Sequence, residues 1–331
     1  MANATTKRKE WIDIARGYGI IFVIFAHIVK GAIAKWLFTF HLPLFFFLSG
    51  YLFKGNENFL DFVKKKAKGL VLPYFILGIP AVIFQSIHEH INIFELFIDF
   101  CVQKRLWTFW FLALLFFLNI LYYLLNRIFP KIYIRLIVSF VLSALGILYY
   151  KLGGSALPWN IDTCLMAVPF FALGDLYHQN EENIDGIIDG KLILVFIVCF
   201  IINVVSGYYS FIITGKQIDM FANDYGVPIL FFISAIAGII CIIIISKKFN
   251  SQFISYFGKN SLVYYAWHQQ IATPIVEDIY KAIGIVLPVN CTVLQHYAYY
   301  TSIFVLVMII CFVFDIIVKK IESSIGFKFT R

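Results

Sequence analysis

Long apolar runs, separated by short polar segments, dominate the sequence. Ten of these runs approach the roughly 20 residues that a helix needs to cross the hydrocarbon core of a bilayer. They cover residues 12–30, 36–53, 69–87, 106–126, 133–150, 160–177, 191–210, 226–246, 257–275 and 298–318. The pattern predicts an all-α, polytopic membrane helical bundle with about ten transmembrane helices.

The composition agrees with a membrane protein. Hydrophobic residues make up 61% of the 331 residues and charged residues 14%, whereas a soluble domain averages about 25% charged. We expect a single transmembrane domain over residues 1–331, with cytoplasmic tails at 1–10 and 319–331. The first run carries Asp13 and Arg16 without a small-residue cleavage site, so it is predicted to be a retained helix and not a signal peptide.

The basic residues indicate the orientation of the bundle. With both termini inside, the cytoplasmic segments hold 19 of the 27 Lys and Arg, the outer segments hold seven, and Arg16 lies within a span. This bias is typical of an N-in, C-in protein. The net charge of +8 is thus explained by topology. The bilayer is the expected partner, nucleic acid is not, and a homo-oligomer stays open.

Arg16 and His27 lie eleven residues apart in the first span. Eleven residues make three turns plus about 20°, so both side chains are predicted to share one helix face, about 16 Å apart along the axis. Ionisable groups inside a membrane are costly and indicate a functional site by default. The alternatives are an Arg16 that reaches the cytoplasmic surface and is neutralised by Asp13, and a buried His27 bonded to a neighbouring hydroxyl or carbonyl.

Two further histidines extend this candidate site. If the first two spans form an antiparallel hairpin, His27 and His41 lie at similar depth near the outer face, although His41 is also placed to cap a helix that Pro43 opens. Residues 258–261 are predicted to open a helix that places His268 about 16 Å along its axis. His268 then faces either a pocket or a neighbouring helix.

A few other polar residues complete the candidate chemistry. Lys64, Lys65, Lys66 and Lys68 form a cytoplasmic cluster, which is either a membrane anchor or a phosphate-binding rim. Asp162 begins the sixth run and is placed either to orient a histidine or to complement the helix dipole. The six cysteines lack metal-like spacing, and no metal is expected.

Five segments carry a resemblance to a known family. They are WIDIARGYGIIFVIFAHI (11–28), FHLPLFFFLSGYLF (40–53), FVKKKAKGLVLPYF (62–75), LWTFWFLALLF (106–116) and FGKNSLVYYAWHQQI (257–271). They resemble the signature segments of the acyltransferase-3 family of integral membrane O-acyltransferases, especially its fucose 4-O-acetylase-like branch.

The resemblance implies transfer of an acetyl or similar short acyl group from cytoplasmic acetyl-CoA, or another short acyl-CoA, to a hydroxyl of a cell-surface glycan or its precursor. The location would be the bacterial cytoplasmic membrane. Together with the candidates above, it implies three sets of residues. The catalytic set is His27, His41 and Asp162; the donor-binding set is Arg16, Lys65, Lys66, Lys68, Tyr74 and Lys259; the substrate-binding set is Asp13, Ser49, Trp107, Trp110 and His268.

The residues leave the mechanism and the class of protein open. His27 suits either a general base or a covalent carrier of the acyl group. A transporter or flippase for a glycan or lipid-linked sugar would also explain polar groups in the membrane, but the repeated halves typical of transporters are not visible in the sequence. A sensor that uses the histidines as a pH switch is a third reading.

Overall fold

The computed structural model describes residues 9–103 and 105–329, which leaves most of the predicted tail at 1–10 outside the described residues. Within these ranges the chain forms fifteen α-helices and no β-strand. They are α1 Glu10–Ile28, α2 Ala32–Leu37, α3 His41–Tyr51, α4 Phe59–Lys66, α5 Leu72–His88, α6 Ile93–Val102, α7 Trp110–Ile128, α8 Ile132–Lys151, α9 Ile161–Asp189, α10 Leu192–Thr214, α11 Pro228–Lys248, α12 Gln252–Lys259, α13 Ser261–Trp267, α14 Thr273–Ala282 and α15 Val293–Ile325.

The predicted all-α membrane bundle is confirmed. Eight helices or helix pairs in the described part of the chain are long and apolar enough to cross a membrane. They coincide with eight of the ten predicted spans. The other two correspond to α9, which continues twelve residues past the predicted end at 177, and to the segmented helices α12–α14. The helix α15 runs to Ile325, so the first part of the predicted tail at 319–331 is helical.

Two helical rods contain a π-helical turn, in which each hydrogen bond spans one residue more than in an α-helix. Residues Ala67–Val71 join α4 to α5, and residues His268–Ala272 join α13 to α14. The helix predicted to open within residues 258–261 begins at Ser261, but α12 ends at Lys259, so the rise of about 16 Å predicted from Gly258 to His268 along one axis is wrong. Single π-turns inside α-helices are frequent at functional sites.

Glycines let α1 and α12 cross with their backbones in contact. A Cβ atom added to Gly258 would lie 1.7 Å from the carbonyl oxygen of Asp13, and one added to Gly17 would lie 2.0 Å from that of Ile254. Small residues at such a crossing replace side-chain packing with close backbone approach, as is common between membrane helices.

We expect Gly258→Ala to lower the free energy of unfolding by about 1–3 kcal/mol or more, because the new methyl group has to push two backbones apart. Gly186→Ala in α9 is the matched control, since nothing lies within 4 Å of its added Cβ atom. The thermal unfolding midpoint of both variants in detergent checks this. Equal midpoints would show that the crossing tolerates separation.

Glu181, near the cytoplasmic end of α9, joins three elements of the bundle. Its carboxylate accepts hydrogen bonds from Lys9 at 2.5 Å, from Lys247 at 2.6 Å and from the hydroxyl of Tyr51. Burial alone would raise its pKa, but the bonds from Lys247, Lys9 and Tyr51 outweigh burial and lower the pKa to about 2.

The lowered pKa of Glu181 predicts a loss of stability in acid. The unfolded carboxyl titrates near its ordinary value of about 4.3, so its contribution is complete above that pH and disappears as the pH falls toward 2. We expect the unfolding midpoint of the wild type to fall more steeply between these values than that of Glu181→Gln. The neighbouring, exposed Glu182 provides the control Glu182→Gln, which should retain the wild-type slope.

Candidate active site

Two buried histidines, His41 and His268, meet the half-buried His27 inside the bundle. Nδ1 of His27 lies 3.1 Å from Nε2 of His268, and their rings stack with centroids 5.1 Å apart. The ring of His41 lies 6.4 Å from that of His27 and nearly perpendicular to it. The predicted similar depth of His27 and His41 therefore holds, and of the two positions considered for His268, the one against a neighbouring helix is correct.

Backbone carbonyls fix the proton on His268. Its Nδ1 lies 3.0 Å from the carbonyl oxygen of Tyr264 and 2.9 Å from that of Tyr265, so Nδ1 carries the proton and donates it. Nε2 of His268 is then an acceptor, and the hydrogen of the short contact belongs to Nδ1 of His27. In this arrangement Nε2 of His27 carries a lone pair, which is the form required of a base or a nucleophile.

His41 presents a second buried lone pair. Its Nδ1 donates to the carbonyl oxygen of Leu37 at 2.7 Å, which leaves Nε2 as an acceptor. This Nε2 is buried and has no hydrogen-bond partner in the described part of the chain. Buried polar atoms are normally satisfied, and an unsatisfied one calls for a ligand, a water molecule or a catalytic explanation. The ring of Phe38 stands edge-on to both His27 and His41.

A cavity of about 570 Å³ lies beside α1, on the side of the histidines that the sequence predicts to be cytoplasmic, and its described lining includes no histidine. It follows α1 along Arg16, Ile20 and Val23, and His27 continues the same helix face one turn beyond Val23. The other lining residues are Leu42, Phe45, Ser49, Gly69, Leu70, Phe111, Leu112, Leu115, Gly258, Lys259, Ser261, Leu262 and Tyr265. Of the two residues predicted to share this face, Arg16 lines the cavity, and His27 lies one turn beyond the last α1 residue of the lining, Val23.

The polar groups of this cavity gather at its cytoplasmic end. Arg16 and Lys259 supply two cations, and the hydroxyl of Ser49, which donates to the carbonyl oxygen of Phe45, lies on the opposite wall. Further along, the lining is mostly apolar. The cavity is therefore suited to a long molecule with an anionic end in the cytoplasm and an uncharged end near the histidines.

The comparison with protein families agrees with this geometry. The family model for the acyltransferase-3 domain, described as an acyltransferase domain, matches residues 9–316, which is nearly the whole chain. The chain belongs to the acyltransferase-3 family. It is a multi-pass membrane acyltransferase, and the match does not single out the fucose 4-O-acetylase-like branch. No curated protein and no solved structure matches the chain.

The lysines predicted to form a phosphate-binding rim do not line the cavity of this acyltransferase. Lys65 forms a salt bridge with Glu57, the ammonium of Lys66 lies 5.3 Å from the ring centre of Phe62, and Lys68 lies over Phe327. Only the adjacent Gly69 and Leu70, within the first π-turn, reach the lining. Of the predicted donor-binding cations, Arg16 and Lys259 alone line this cavity.

Other predicted site residues of the acyltransferase have structural partners. Tyr74 is buried, donates its hydroxyl hydrogen to the carbonyl oxygen of Phe100 and accepts a hydrogen bond from Gln103 at 2.9 Å. Trp107 lies in the loop before α7 at a φ of +51°, and Trp110 is buried, with its ring 5.9 Å from that of Phe221. Asp13 is buried at the crossing of α1 and α12.

Asp162 is not placed beside a histidine. Its carboxylate accepts hydrogen bonds from Arg105 at 2.5 Å and from the side-chain amide of Asn223 at 2.6 Å. This explains its burial without a role in orienting His27 or His41. Arg105 and Asn223 escaped prediction because they lie 57 and 61 residues from Asp162 in loops that have no periodic pattern.

Strained backbone surrounds this ion pair. Of the non-glycine residues with positive φ in the described part of the chain, all but His90 lie in the three segments that meet here. These residues are Gln103, Arg105, Trp107, Trp159, Asn160 and Asn223. The amide of Trp159 donates to the carbonyl oxygen of Gln103, which ties two of the segments together. Such conformations persist only where the surrounding contacts enforce them.

Proposed function

We propose that this acyltransferase moves an acetyl or similar short acyl group from cytoplasmic acyl-CoA to a hydroxyl of a cell-surface glycan or glycan precursor. The observation that carries the proposal is the cavity that is lined by Arg16 and Lys259 and follows α1 as far as Val23, one turn before His27. The phosphates of the donor would meet Arg16 and Lys259, the two cations among the described residues that line the cavity. The pantetheine arm would extend along Ile20 and Val23 toward His27.

The hydrogen bond between His27 and His268 supports a role of His27 as general base. Nε2 of His27 would accept the proton of the acceptor hydroxyl while its oxygen forms a bond to the acyl carbon of the thioester. The carbon–sulfur bond breaks, and the leaving thiolate takes the proton back from His27, so that CoA is released as the thiol. The neutral His268 would accept the hydrogen bond from Nδ1 throughout and stabilise the transient positive charge on His27.

The same lone pair is equally placed to attack the thioester itself. In that route Nε2 of His27 bonds to the acyl carbon as the carbon–sulfur bond breaks, and CoA leaves as a thiolate that takes a proton from solvent. The acceptor oxygen then bonds to the acyl carbon as the carbon–nitrogen bond to His27 breaks, and the hydroxyl proton passes to solvent. An acyl group held by His27 survives removal of CoA, whereas direct transfer leaves the protein unmodified. Incubation with radiolabelled acetyl-CoA in the absence of acceptor, followed by rapid acid quench, distinguishes the two routes.

The proposal is tested with purified protein in nanodiscs that is supplied with acetyl-CoA. We expect release of free CoA by the wild type and weaker CoA binding by Arg16→Ala, because one of two phosphate contacts is lost; hydrogen bonds to charged groups contribute about 1.5–3 kcal/mol. Lys131→Ala, an exposed cation outside the cavity, should bind CoA like the wild type. If folded wild type neither binds nor cleaves acetyl-CoA, the donor assignment is wrong and the transporter alternative becomes the better one.

A further inference from the structure

A second cavity, of about 400 Å³, lies between α2 and α10 beside the loop that follows α10. It shares no lining residue with the cavity described above. The side chains that define it are Lys35, Trp36, Phe200, Val204, Phe211 and Lys216. We call it the α2–α10 cleft.

The α2–α10 cleft faces the surrounding bilayer. Along α10 its lining runs from Phe200 to Phe211, eleven residue steps that span about 16 Å of helix axis. Most of α10 is exposed in the bundle: the side chain of Tyr208, on the cleft, is 61% exposed. An apolar trough of this length on a lipid-facing helix accommodates a hydrocarbon chain.

Two lysines lie at the mouth of the cleft, on the side where the sequence predicts the outer face. Only seven basic residues are predicted on that side of the chain, and Lys35 and Lys216 are two of them. The ammonium of Lys35 lies 3.9 Å from the ring centre of Phe211, and no described carboxylate lies within 4 Å of it. Lys216 has Asp224 at 3.7 Å, a long contact for a side chain that is 73% exposed.

The inner wall of the cleft is fixed before any ligand arrives. Nε1 of Trp36 donates to the side-chain oxygen of Asn203 at 2.5 Å. The amide nitrogen of Asn203 in turn donates to Thr39 and to Ser234. This buried network holds the indole of Trp36 against α10, so a ligand does not have to order the wall on binding.

We propose that the α2–α10 cleft binds an anionic phospholipid of the outer leaflet, with the phosphate at Lys35 and Lys216 and one acyl chain along α10 beside Trp36. The two lysines at the mouth of the cleft favour an anionic headgroup. Lys35 has no carboxylate partner among the described residues, and both lysines attract an anionic headgroup more strongly than a zwitterionic one. The site is independent of the acyl-transfer reaction, so its test stands whether or not that reaction is confirmed.

Trp36 supplies a reporter, because bromine atoms on a lipid chain quench tryptophan fluorescence on contact. The full-length protein is reconstituted in phosphatidylcholine nanodiscs that contain increasing fractions of dibrominated phosphatidylglycerol or dibrominated phosphatidylcholine. The difference in quenching between the wild type and Trp36→Phe measures the lipid that is bound in the cleft. We expect phosphatidylglycerol to reach half-maximal quenching at a mole fraction lower by on the order of tenfold.

Variants separate the headgroup site from the chain site. Lys35→Gln combined with Lys216→Gln should remove the preference for phosphatidylglycerol, whereas Lys151→Gln, an exposed cation at the end of α8, should keep it. Val204→Phe fills the trough and should reduce quenching by both lipids, whereas Ile201→Phe on the same helix should not.

Three results would overturn the proposal. Equal quenching by the two brominated lipids in the wild type would exclude headgroup selection. A preference that survives in the double lysine variant would place the anionic site elsewhere. Complete reversal of the quenching by soluble glycerol phosphate would show a site for a free phosphate ester and not for a lipid.

Discussion

Replacing His27 by glutamine should lower the rate of CoA release from acetyl-CoA by roughly a hundredfold to ten-thousandfold, the usual contribution of a general base. Glutamine keeps a polar side chain at this position but has no lone pair able to accept a proton near neutral pH. CoA binding should stay unchanged, because the cations that line the cavity, Arg16 and Lys259, lie about three turns away or on another helix. Single-turnover assays and equilibrium CoA binding measure the two effects separately.

Variants of His268, which is hydrogen-bonded to His27, provide a second test of this prediction. His268→Ala removes the acceptor for Nδ1 of His27 and should slow CoA release, whereas His268→Gln retains an acceptor oxygen and should recover part of the rate. His178→Ala, an exposed histidine on α9, should match the wild type. Full activity of His27→Gln, or equal rates for the alanine and glutamine variants at His268, would contradict the proposed roles.

Asp162→Asn should lower the free energy of unfolding by about 3–5 kcal/mol, since it leaves the guanidinium of Arg105 without its counter-charge. The side chains of Asp162 and Arg105 are only 2% and 15% exposed, so water cannot replace the lost carboxylate. Asp278→Asn removes an exposed carboxylate that pairs with His88 and Lys281, and a much smaller loss is expected there because water replaces the lost contacts. Unfolding midpoints of both variants in the same detergent provide the comparison.

Turnover of the folded variant separates the two roles considered for Asp162. If Asp162 only holds the outer loops together, Asp162→Asn should keep most of its rate of CoA release well below its unfolding midpoint. If the sequence-based catalytic assignment is right, the rate should fall as far as in His27→Gln while the protein is still folded. The structure favours the first result, because Oδ2 of Asp162 accepts from Arg105 and Asn223 and Oδ1 accepts from the backbone amide of Leu157.

Local periodicity explains why the sequence predicted one half of the site. Arg16 and His27 share a face because α1 is an uninterrupted helix, and His41 meets His27 because the next helix returns antiparallel after a short turn. The positions of both histidines depend on spans that are adjacent in the chain. No long-range information was needed to place them.

The other half depends on contacts that no local pattern encodes. His268 is hydrogen-bonded to His27, which lies 241 positions earlier in the chain. The helix breaks after Lys259 and becomes a π-turn at residues 268–272, and this path brings the ring of His268 against α1. A continuous helix from residue 258 would point His268 in a different direction, since each residue changes the heading by about 100°. The lysine cluster lies off the cavity: Lys65 and Lys66 precede the π-turn and contact Glu57 and Phe62, whereas Gly69 and Leu70 in the turn line the cavity.

The contact between the backbones of α1 and α12 affects how the proposed CoA donor would enter the cavity. Gly17 and Gly258 leave no side chain that could change rotamer, so this wall of the entrance cannot yield without separating two helices. Gly69, across the entrance, has nothing within 4 Å of the place where its Cβ atom would be. Admission of the proposed CoA donor would therefore be asymmetric: the α1–α12 wall would act as a fixed template, and conformational adjustment would fall to the π-turn at residues 67–71.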